Sequence, residues 1–287
     1  IGADAIIGPT SSLAVLATLD TTVESGVLTC APTAAALSLD AYPDAGLLIR
    51  TVPSDSLQAL ALARVADTTG ADSAAVVYLD DGYGRPFGQA VQAALADKGT
   101  TVAAAVAFQD DEASISAAVA EVVAADPGVV AVIADARSGP AIVAALDEAT
   151  QGRLTFVVND AGRRPDAAAQ PYAADLAERV LGVSPQAYSS STAFAEALKA
   201  VDPEATGLFA QNAYDCLNII ALAAVAAGTI RPTDIAAQVT AITSRGTTCN
   251  DFPTCAAELA AARNINYDGP SGNLAINSSG DRTSAVF

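Results

Sequence analysis

Two adjacent serines near the start of the chain are the first residues whose type and position could bind a ligand. The apolar segment Ala5–Ile7 ends at a Gly-Pro pair, and Ser11 and Ser12 then precede an apolar, helix-like stretch. This order predicts a strand, a tight turn and a helix capped by a serine hydroxyl. The N–H groups at the start of such a helix favour an anion. At the carboxyl end of a parallel strand this segment could hold a small carboxylate, although it also fits a helix cap with no ligand.

The composition of the chain argues against several classes of function. The 287 residues include no histidine and carry a formal net charge of −18. A Ser-His-Asp triad and an imidazole-bound metal are therefore excluded, and the sequence has no G-x-S-x-G elbow, Walker loop or dinucleotide glycine signature. Asp80 and Asp81 could bind Mg²⁺, but no second carboxylate cluster accompanies them. We expect no catalysis, cofactor or metal, and the charge disfavours nucleic acid or an anionic membrane as partner.

The four cysteines favour an oxidising compartment. Cys249 and Cys255 flank Asn-Asp-Phe-Pro-Thr, which we interpret as a short polar loop, and this close spacing predicts a disulfide. A zinc pair is the weaker interpretation, because no other ligand cluster is present. Cys30 and Cys216 lie in apolar surroundings and are either buried thiols or a second disulfide. No apolar stretch is long enough to cross a bilayer, and because the chain opens inside a strand we expect that a leader has been removed.

The elements that position these residues alternate between short β-branched strands and Ala-rich helices, which predicts βαβ units and parallel sheets. The predicted strands are 5–7, 26–30, 46–50, 73–79, 100–108, 129–134 and 154–159. The predicted helices are 12–21, 54–69, 84–98, 115–125, 139–150, 172–179, 190–201, 208–227 and 233–242. After position 190 helices dominate, and a Gly-rich, β-like tail over 267–287 ends the chain.

Six short motifs follow one another along nearly the whole chain. They are Ile7-Gly8-Pro9-Thr10-Ser11-Ser12, Ala31-Pro32-Thr33-Ala34-Ala35, Arg50-Thr51-Val52-Pro53-Ser54-Asp55 with Gln58, Asp80-Asp81-Gly82-Tyr83-Gly84, Tyr214-Asp215 and Tyr267-Asp268-Gly269-Pro270-Ser271-Gly272. Together, in this order, they resemble the type I periplasmic-binding-protein family, in its branch that binds leucine, isoleucine and valine.

The resemblance implies an α/β fold of two Rossmann-like lobes with parallel sheets, joined by a three-segment hinge, with a ligand held between the lobes. We expect the hinge segments near 50–53, 182–185 and 264–272. The first lobe would consist of residues 1–51 and 185–264, and the second of residues 52–184 and 265–287. Family members begin with an earlier strand–helix–strand unit, so we expect that this N-terminal unit of the first lobe is missing from the sequence.

The resemblance also implies the ligand-binding residues, which are Ser11, Ser12, Thr33, Ala34, Ala35, Tyr83 and Asp160. Ser12 aligns with a serine that binds the ligand carboxylate, and the loop with Thr33 and Ala35 meets the carboxylate and the amino group. Tyr83 aligns with an aromatic residue that covers the ligand, and Asp160 with an acidic partner of its ammonium. Alternatively, Tyr83 only caps its turn, and Asp160 is a solvated loop charge or pairs with an arginine of Arg163-Arg164.

Position 35 departs from the family pattern, because amino-acid-binding members usually carry a hydroxyl there. Losing such a contact costs on the order of 1 kcal/mol, which weakens the expectation of an α-amino acid. The resemblance implies an extracytoplasmic solute-binding protein of an ABC transporter, anchored by lipid in its full-length form. It would close on an amino acid or a related small carboxylate and dock on a membrane permease. The alternative is an extracellular ligand-sensing domain of a receptor with the same fold.

Overall fold

Parallel sheets flanked by helices make up the computed structural model, which describes residues 2–163, 172–186, 192–205 and 209–287. The strands are β1 (Ala5–Ile7), β2 (Leu28–Ala31), β3 (Leu48–Arg50), β4 (Ser73–Leu79), β5 (Thr101–Phe108), β6 (Val129–Ile133), β7 (Thr155–Val158), β8 (Val180–Gly182), β9 (Thr247–Cys249) and β10 (Ile265–Tyr267). The helices are α1 (Ser12–Glu24), α2 (Asp55–Thr68), α3 (Gly84–Asp97), α4 (Glu112–Ala125), α5 (Ser138–Ala149), α6 (Asp160–Arg163), α7 (Ala174–Ala177), α8 (Thr192–Val201), α9 (Ala210–Ala227), α10 (Pro232–Ile242) and α11 (Phe252–Ala260). The α/β fold with parallel sheets is as the sequence predicts.

The chain divides into two compact units. Unit 1 consists of residues 1–54 and 186–286, and unit 2 of residues 55–185 together with Phe287. The structure differs from the predicted lobes over 265–286, which belong to unit 1 and were expected in the second lobe. The physical reason is that β10 pairs in parallel with β9, and the isolated bridge Pro53–Arg282 ties the tail to the end of the β3 segment. The predicted hinge segment at 264–272 is therefore wrong, because those residues lie inside unit 1.

Unit 1 contains a three-stranded parallel sheet in the order β1-β2-β3 and the separate pair β9 and β10. Strands β2 and β3 are buried throughout, as expected for strands covered on both faces, whereas β1 and β9 are partly exposed. Leu28 and Ile49 face a core formed with α9, α10 and α11, whereas Ala31 and Leu48 face a second core formed with α1. Both cores therefore fix the loops that follow β1, β2 and β3.

Unit 2 contains a five-stranded, fully parallel sheet in the order β5-β4-β6-β7-β8. The chain passes from β4 outward to β5, then returns to β6 on the other side of β4. This reversal makes a topological switch point between β4 and β6, and in open α/β sheets ligands bind beyond the carboxyl ends of the strands at such a point. We therefore expect a ligand site of unit 2 at the loops after β4, β6 and β7.

Several helices begin or end at a residue that caps them. Asp111 accepts a hydrogen bond from Ser114 N at the start of α4, and Gly228 ends α9 in the left-handed region with φ of 65°. The polar loop predicted between Cys249 and Cys255 is wrong, because α11 begins at Phe252. Asp251 caps this helix by accepting from Thr254 N, and a proline fits its first turn.

Other elements also differ from the sequence-based expectation. The strands β8, β9 and β10 are only three residues long, and only Tyr267 of the last was expected to be β-like. The helix predicted over 172–179 is the single turn α7. The start of the helix predicted from position 190, and position 208 of the next one, lie outside the described residues.

Two disulfides join elements within unit 1. Cys249 and Cys255, with Cα atoms 5.5 Å apart, connect β9 to α11 and confirm the predicted pair. Cys30 and Cys216, with Cα atoms 5.7 Å apart, connect β2 to α9, which resolves the alternative left open by the sequence. All four cysteines are buried.

Within the described ranges, no single helix is long and apolar enough to cross a membrane. The pair α9 and α10 passes that test only when its two members are combined, and they are bent by 103° at their junction.

Candidate functional site

Ser11 and Ser12 lie at the start of α1 and make different contacts. Ser11 is the N-cap, and its Oγ accepts a hydrogen bond from Ala14 N over 3.1 Å. Ser12 is buried, and its Oγ accepts from the backbone N–H of Ala36 over 3.1 Å. A hydroxyl that accepts one hydrogen bond still has its own proton to donate. The described residues supply no acceptor for the Ser12 proton, so this hydroxyl can donate to a ligand oxygen.

The loop after β2 lies beside these serines and carries three further predicted residues. Thr33 Oγ1 donates to the carbonyl of Thr10 over 2.5 Å, which ties the loop to the turn before α1. Ala34 is fully buried, and Ala35 is partly buried. The structure thus brings all five predicted residues of unit 1 onto adjacent loops. We call these five, Ser11, Ser12, Thr33, Ala34 and Ala35, the serine loop cluster.

A buried ion cluster supports the serine loop cluster from inside unit 1. Arg50 is fully buried, and its Nη1 donates to the Ala36 carbonyl over 3.2 Å. Its guanidinium also binds the carboxylates of Asp40 and Asp281, and Ser54 Oγ donates to Asp40 over 2.8 Å. Because a buried arginine is tolerated only when its donors are paired, this cluster fixes the position of Ala36. Ala36 in turn holds Ser12.

In unit 2, the loop after β4 presents Tyr83. Asp81 accepts hydrogen bonds from the backbone N–H groups of Tyr83 and Gly84 over 2.9 and 2.6 Å, so Asp81 caps α3 and the tyrosine hydroxyl has no capping role. Tyr83 Oη accepts from Asn159 Nδ2 over 3.3 Å, and its ring meets Phe87 edge to face. Tyr83 as a whole is partly exposed.

Asp160 follows β7 and lies in the same group of loops. Gln58 Nε2, on α2, donates to Asp160 Oδ1 over 3.2 Å. Burial raises the pKa of the Asp160 carboxyl, and the hydrogen bond from Gln58 opposes that change. Burial, with the charges of Asp55 and Asp160, also raises the pKa of Tyr83 well above its usual value. Tyr83, Asn159, Asp160 and Gln58 form what we call the acidic rim.

The helix N-termini of the acidic rim are already occupied by carboxylates. Asp81 caps α3, and Asp135 accepts from the N–H groups of Arg137 and Ser138 over 3.0 and 2.6 Å at the start of α5. Desolvation acts against these hydrogen bonds, yet they lower the pKa of Asp135 overall. An anionic ligand would therefore find the N-termini of α3 and α5 filled, whereas a cationic group would be attracted.

The remaining expectations about this region have mixed outcomes. Arg137, at the start of α5, is exposed and pairs with Asp110 over 2.9 Å. Asp80, considered for Mg²⁺, pairs with Arg85. No group of three or more potential metal-ligating side chains occurs among the described residues. The proposed pairing of Asp160 with Arg163 or Arg164 concerns side chains outside the described set.

Sequence reasoning missed two members of the acidic rim. Asn159 connects the residue after β6 with Tyr83. Its Oδ1 accepts from Ala134 N over 3.3 Å, and its Nδ2 donates to Tyr83 Oη. Gln58 was noted only as part of a motif, and its partner Asp160 lies 102 residues later. The signal that could have found Asn159 is its place directly after an apolar strand, next to Asp160, at the carboxyl edge of the sheet.

A second buried polar cluster in unit 1 surrounds Asp215 on α9. Asp215 accepts from Tyr267 Oη over 2.7 Å and from Ser271 N over 2.9 Å, and Arg282 lies near enough to stabilise its charge. Burial nevertheless raises its pKa from 3.8 to about 6. The cluster fastens the tail of the chain onto α9.

Comparison with known proteins extends these observations. The family described as the receptor family ligand binding region matches residues 2–287. A curated relative, the chemotactic signal transduction system substrate-binding protein BasB of Halobacterium salinarum, is 27% identical over 285 residues. The match covers 94% of this chain, and the chain spans 65% of the length of that relative.

Two solved structures share the fold at low sequence identity. An ABC transporter substrate-binding protein from Desulfitobacterium hafniense in complex with Leu has a TM-score of 0.74 and 16% identity, covering 98% of this chain and 75% of that chain. A solute-binding protein from R. palustris in complex with benzoate has a TM-score of 0.73 and 14% identity, covering 97% and 71%.

Proposed function

This chain belongs to the receptor family ligand binding region, of the type I periplasmic-binding-protein kind, and from that membership we propose that it binds a small carboxylate-bearing solute outside the cytoplasm. The solute-binding component of an ABC transporter is the role we favour, with a membrane permease as partner. Closure of a hinge around the ligand is part of the proposal and comes from the family resemblance. The two disulfides support an oxidising location, and we retain lipid anchoring of the full-length protein as an expectation.

The chemical contrast between the serine loop cluster and the acidic rim carries the proposal. The serine loop cluster offers the Ser12 proton and the first N–H groups of α1, which suit a carboxylate. The acidic rim offers the Asp160 carboxylate and the Tyr83 ring, which suit an ammonium and an apolar or cationic group. Each surface belongs to its own unit, and together their chemistry matches an amino acid.

This contrast favours an amino acid over an acid that lacks an amino group. We take a ligand ammonium as the partner of the partly buried Asp160 carboxylate, because no lysine or arginine among the described side chains forms an ion pair with it. A ligand such as benzoate would place no positive charge there. The alanine at position 35 offers no side-chain donor or acceptor, so the amino group would depend more strongly on Asp160.

A thermal-shift screen over amino acids, small aliphatic acids and aromatic acids tests the proposal. A ligand at about one hundred times its Kd stabilises the folded state by about 2.7 kcal/mol, which this measurement detects. We expect amino acids to give the largest shifts. The absence of a shift from every one of these classes would refute the proposed function.

Matched variants then test whether Asp160 contacts the ligand. Asp160→Asn keeps the shape of the side chain and removes its charge, so we expect it to weaken an amino acid hit at least about tenfold in isothermal titration calorimetry. Asp97→Asn is the control, because it makes the same chemical change at the exposed end of α3, about 20 Å along the helix from Tyr83. If both variants bind the ligand like the parent protein, Asp160 is not a ligand contact.

Sensing is a second candidate role, because the curated relative is a substrate-binding protein of a chemotactic signal transduction system. Uptake of a radiolabelled ligand and movement towards the same ligand, compared in cells with and without the gene, distinguish the two roles. Loss of uptake alone supports transport, and loss of the chemotactic response alone supports sensing.

A further inference from the structure

Gln58 occupies an unusual place for a polar side chain. It lies on α2 and is only 2% exposed, so its amide must be hydrogen-bonded to avoid a large cost of burial. Its Nε2 donates both to Asp160 Oδ1 over 3.2 Å and to the carbonyl of Val183 over 2.9 Å. One amide group therefore connects α2, the first residue of α6 and the residue after β8.

The chemistry of the two acceptors fixes how the amide is turned. A carboxylate oxygen and a backbone carbonyl both accept hydrogen bonds and neither donates, so the NH₂ end of Gln58 must face them. Val183 is itself held, because its N–H donates to the Val158 carbonyl at the end of β7 over 2.9 Å. The donor that faces Asp160 is thus held between fixed elements and does not depend on a mobile side chain.

The charged groups near Asp160 make its hydrogen bond with Gln58 important for the ionisation of the carboxyl. Asp160 and Asp55 both act electrostatically on Tyr83, so the region concentrates negative charge around a partly buried tyrosine. A carboxyl in such a place tends to take up a proton or turn away from its neighbours. A hydrogen bond from a neutral donor holds the carboxylate in one orientation and favours its ionised form, without the competing positive charge of an arginine or a lysine.

We propose that Gln58 is a positioning residue of the ligand site, holding the Asp160 carboxylate ionised and correctly oriented so that the site prefers ligands with an ammonium over the same acids without one. The proposal rests on the proposed function for its ligand. It does not require Gln58 to touch the ligand. A purely structural role, in which Gln58 only ties α2 to Val183, is the alternative that the experiment must distinguish.

The first test needs no ligand. The carboxyl titration of Asp160 is followed by NMR in protein with ¹³C-labelled aspartate, with Asp160→Asn providing the assignment. Gln58→Met keeps the length of the side chain and removes the donor, and we expect the pKa of Asp160 to rise by about one unit. Gln58→Glu places a second carboxylate at the same point, and the pair is expected to titrate at still higher pH. An unchanged titration in both variants would overturn the proposal.

The second test measures ligand preference. L-leucine and 4-methylpentanoate, which differ by the amino group, are titrated against wild-type protein and Gln58→Met. We expect the ratio of their Kd values to fall about tenfold in the variant, through weaker binding of L-leucine. If Gln58→Met is less stable but keeps both the ratio and the Asp160 titration, the role is structural and the proposal is wrong. If wild-type protein binds no compound of the earlier screen, the proposed function fails, while the NMR titration still decides whether Gln58 controls Asp160.

Discussion

At the scale of single residues, Asp215 shows how burial and hydrogen bonding oppose one another. Its side chain is fully buried on α9 and accepts from Tyr267 and Ser271, with Arg282 nearby. Because burial prevails, its pKa in the folded protein is about 6 against an ordinary value of 3.8. A raised carboxyl pKa favours folding when the group is protonated, so this contribution is complete below about pH 4 and is lost as the pH rises through about 6.

We therefore expect Asp215 to lower the free energy of unfolding by about 3 kcal/mol between pH 4 and pH 7. Denaturant unfolding of the wild-type protein and of Asp215→Asn across this range isolates the contribution, since other groups titrate alike in both proteins. As the pH rises, the free energy of unfolding of Asp215→Asn should increase relative to that of the wild-type protein. A difference that stays constant over the range would show that Asp215 keeps its ordinary pKa.

Ser11 and Ser12 are neighbours that we expect to respond differently to substitution. Ser11→Ala removes the N-cap of α1 and should cost about 1 kcal/mol in unfolding free energy, with little effect on ligand affinity. Ser12→Ala leaves the buried N–H of Ala36 without its partner, which should cost about 1–3 kcal/mol, and it also removes the proposed ligand donor. Chemical denaturation and calorimetric titration of both variants provide the comparison. Equal losses of ligand affinity would mean that the two hydroxyls share the ligand.

At the scale of elements, the starts of α3 and α5 allow a matched pair of glycine substitutions. A Cβ on Gly84, the first residue of α3, would lie 2.2 Å from the Leu79 carbonyl oxygen, whereas one on Gly139, in the first turn of α5, would make ordinary contacts of 3.5 and 3.6 Å. Gly84→Ala should lower the unfolding free energy by about 2 kcal/mol or more, because the backbone of β4 cannot move away. Gly139→Ala should change it by less than about 1 kcal/mol in either direction.

Thermal melts of the two variants are sufficient to compare them. Comparable melting temperatures would indicate that the turn after β4 relaxes to accept a methyl group. That outcome would also weaken the case for a fixed Tyr83, which directly precedes Gly84 in the same turn.

The elements that the sequence predicts well are those with a strong local pattern. Strand β4 is a run of seven largely buried residues, and its bounds were predicted without error because burial on both faces requires continuous apolar side chains. Strands β8, β9 and β10 have three residues each, and their pairing depends on distant partners. Helix α11 was missed because Asp251 and Pro253 were interpreted as loop residues, although an N-cap followed by proline is also how a helix begins.

For the candidate site too, the sequence identified individual residues but not the long-range contacts between them. Ser12, Thr33, Tyr83 and Asp160 follow strands, and the first three belong to short motifs, so the resemblance could nominate them. The contacts that give them their properties are long-range: Ser12 with Ala36, Asp160 with Gln58, and Tyr83 with Asn159. No local sequence pattern encodes such contacts, because they depend on how the loops of neighbouring strands meet at one edge of a sheet.

At the scale of the whole molecule, the two disulfides should contribute unequally to stability. Cys30 and Cys216 are separated by 186 residues, whereas Cys249 and Cys255 are separated by 6. If cross-links act mainly by restricting the unfolded chain, the first contributes about 5 kcal/mol and the second about 2 kcal/mol. Replacing each pair with alanines and measuring denaturant unfolding compares them, and both pairs lie in unit 1, so the same transition reports on each. Equal losses would argue against the chain-entropy explanation.

The net charge leads to a final prediction about the folded state as a whole. The chain carries 32 acidic and 14 basic side chains, and a charge of −18 opposes compaction by self-repulsion. In ion pairs such as those of Arg231 with Asp234 and Arg263 with Glu258 the arginine is exposed to solvent, so these pairs are weak. Because the Debye length falls from about 30 Å at 0.01 M salt to well under 10 Å at 0.5 M, screening of the repulsion should outweigh the weakening of these pairs. We expect the Tm to rise by about 5 °C over that range of NaCl, with no comparable rise in sucrose at equal osmolality. A Tm that falls as NaCl is added would show that attractive pairs dominate the electrostatics of this protein.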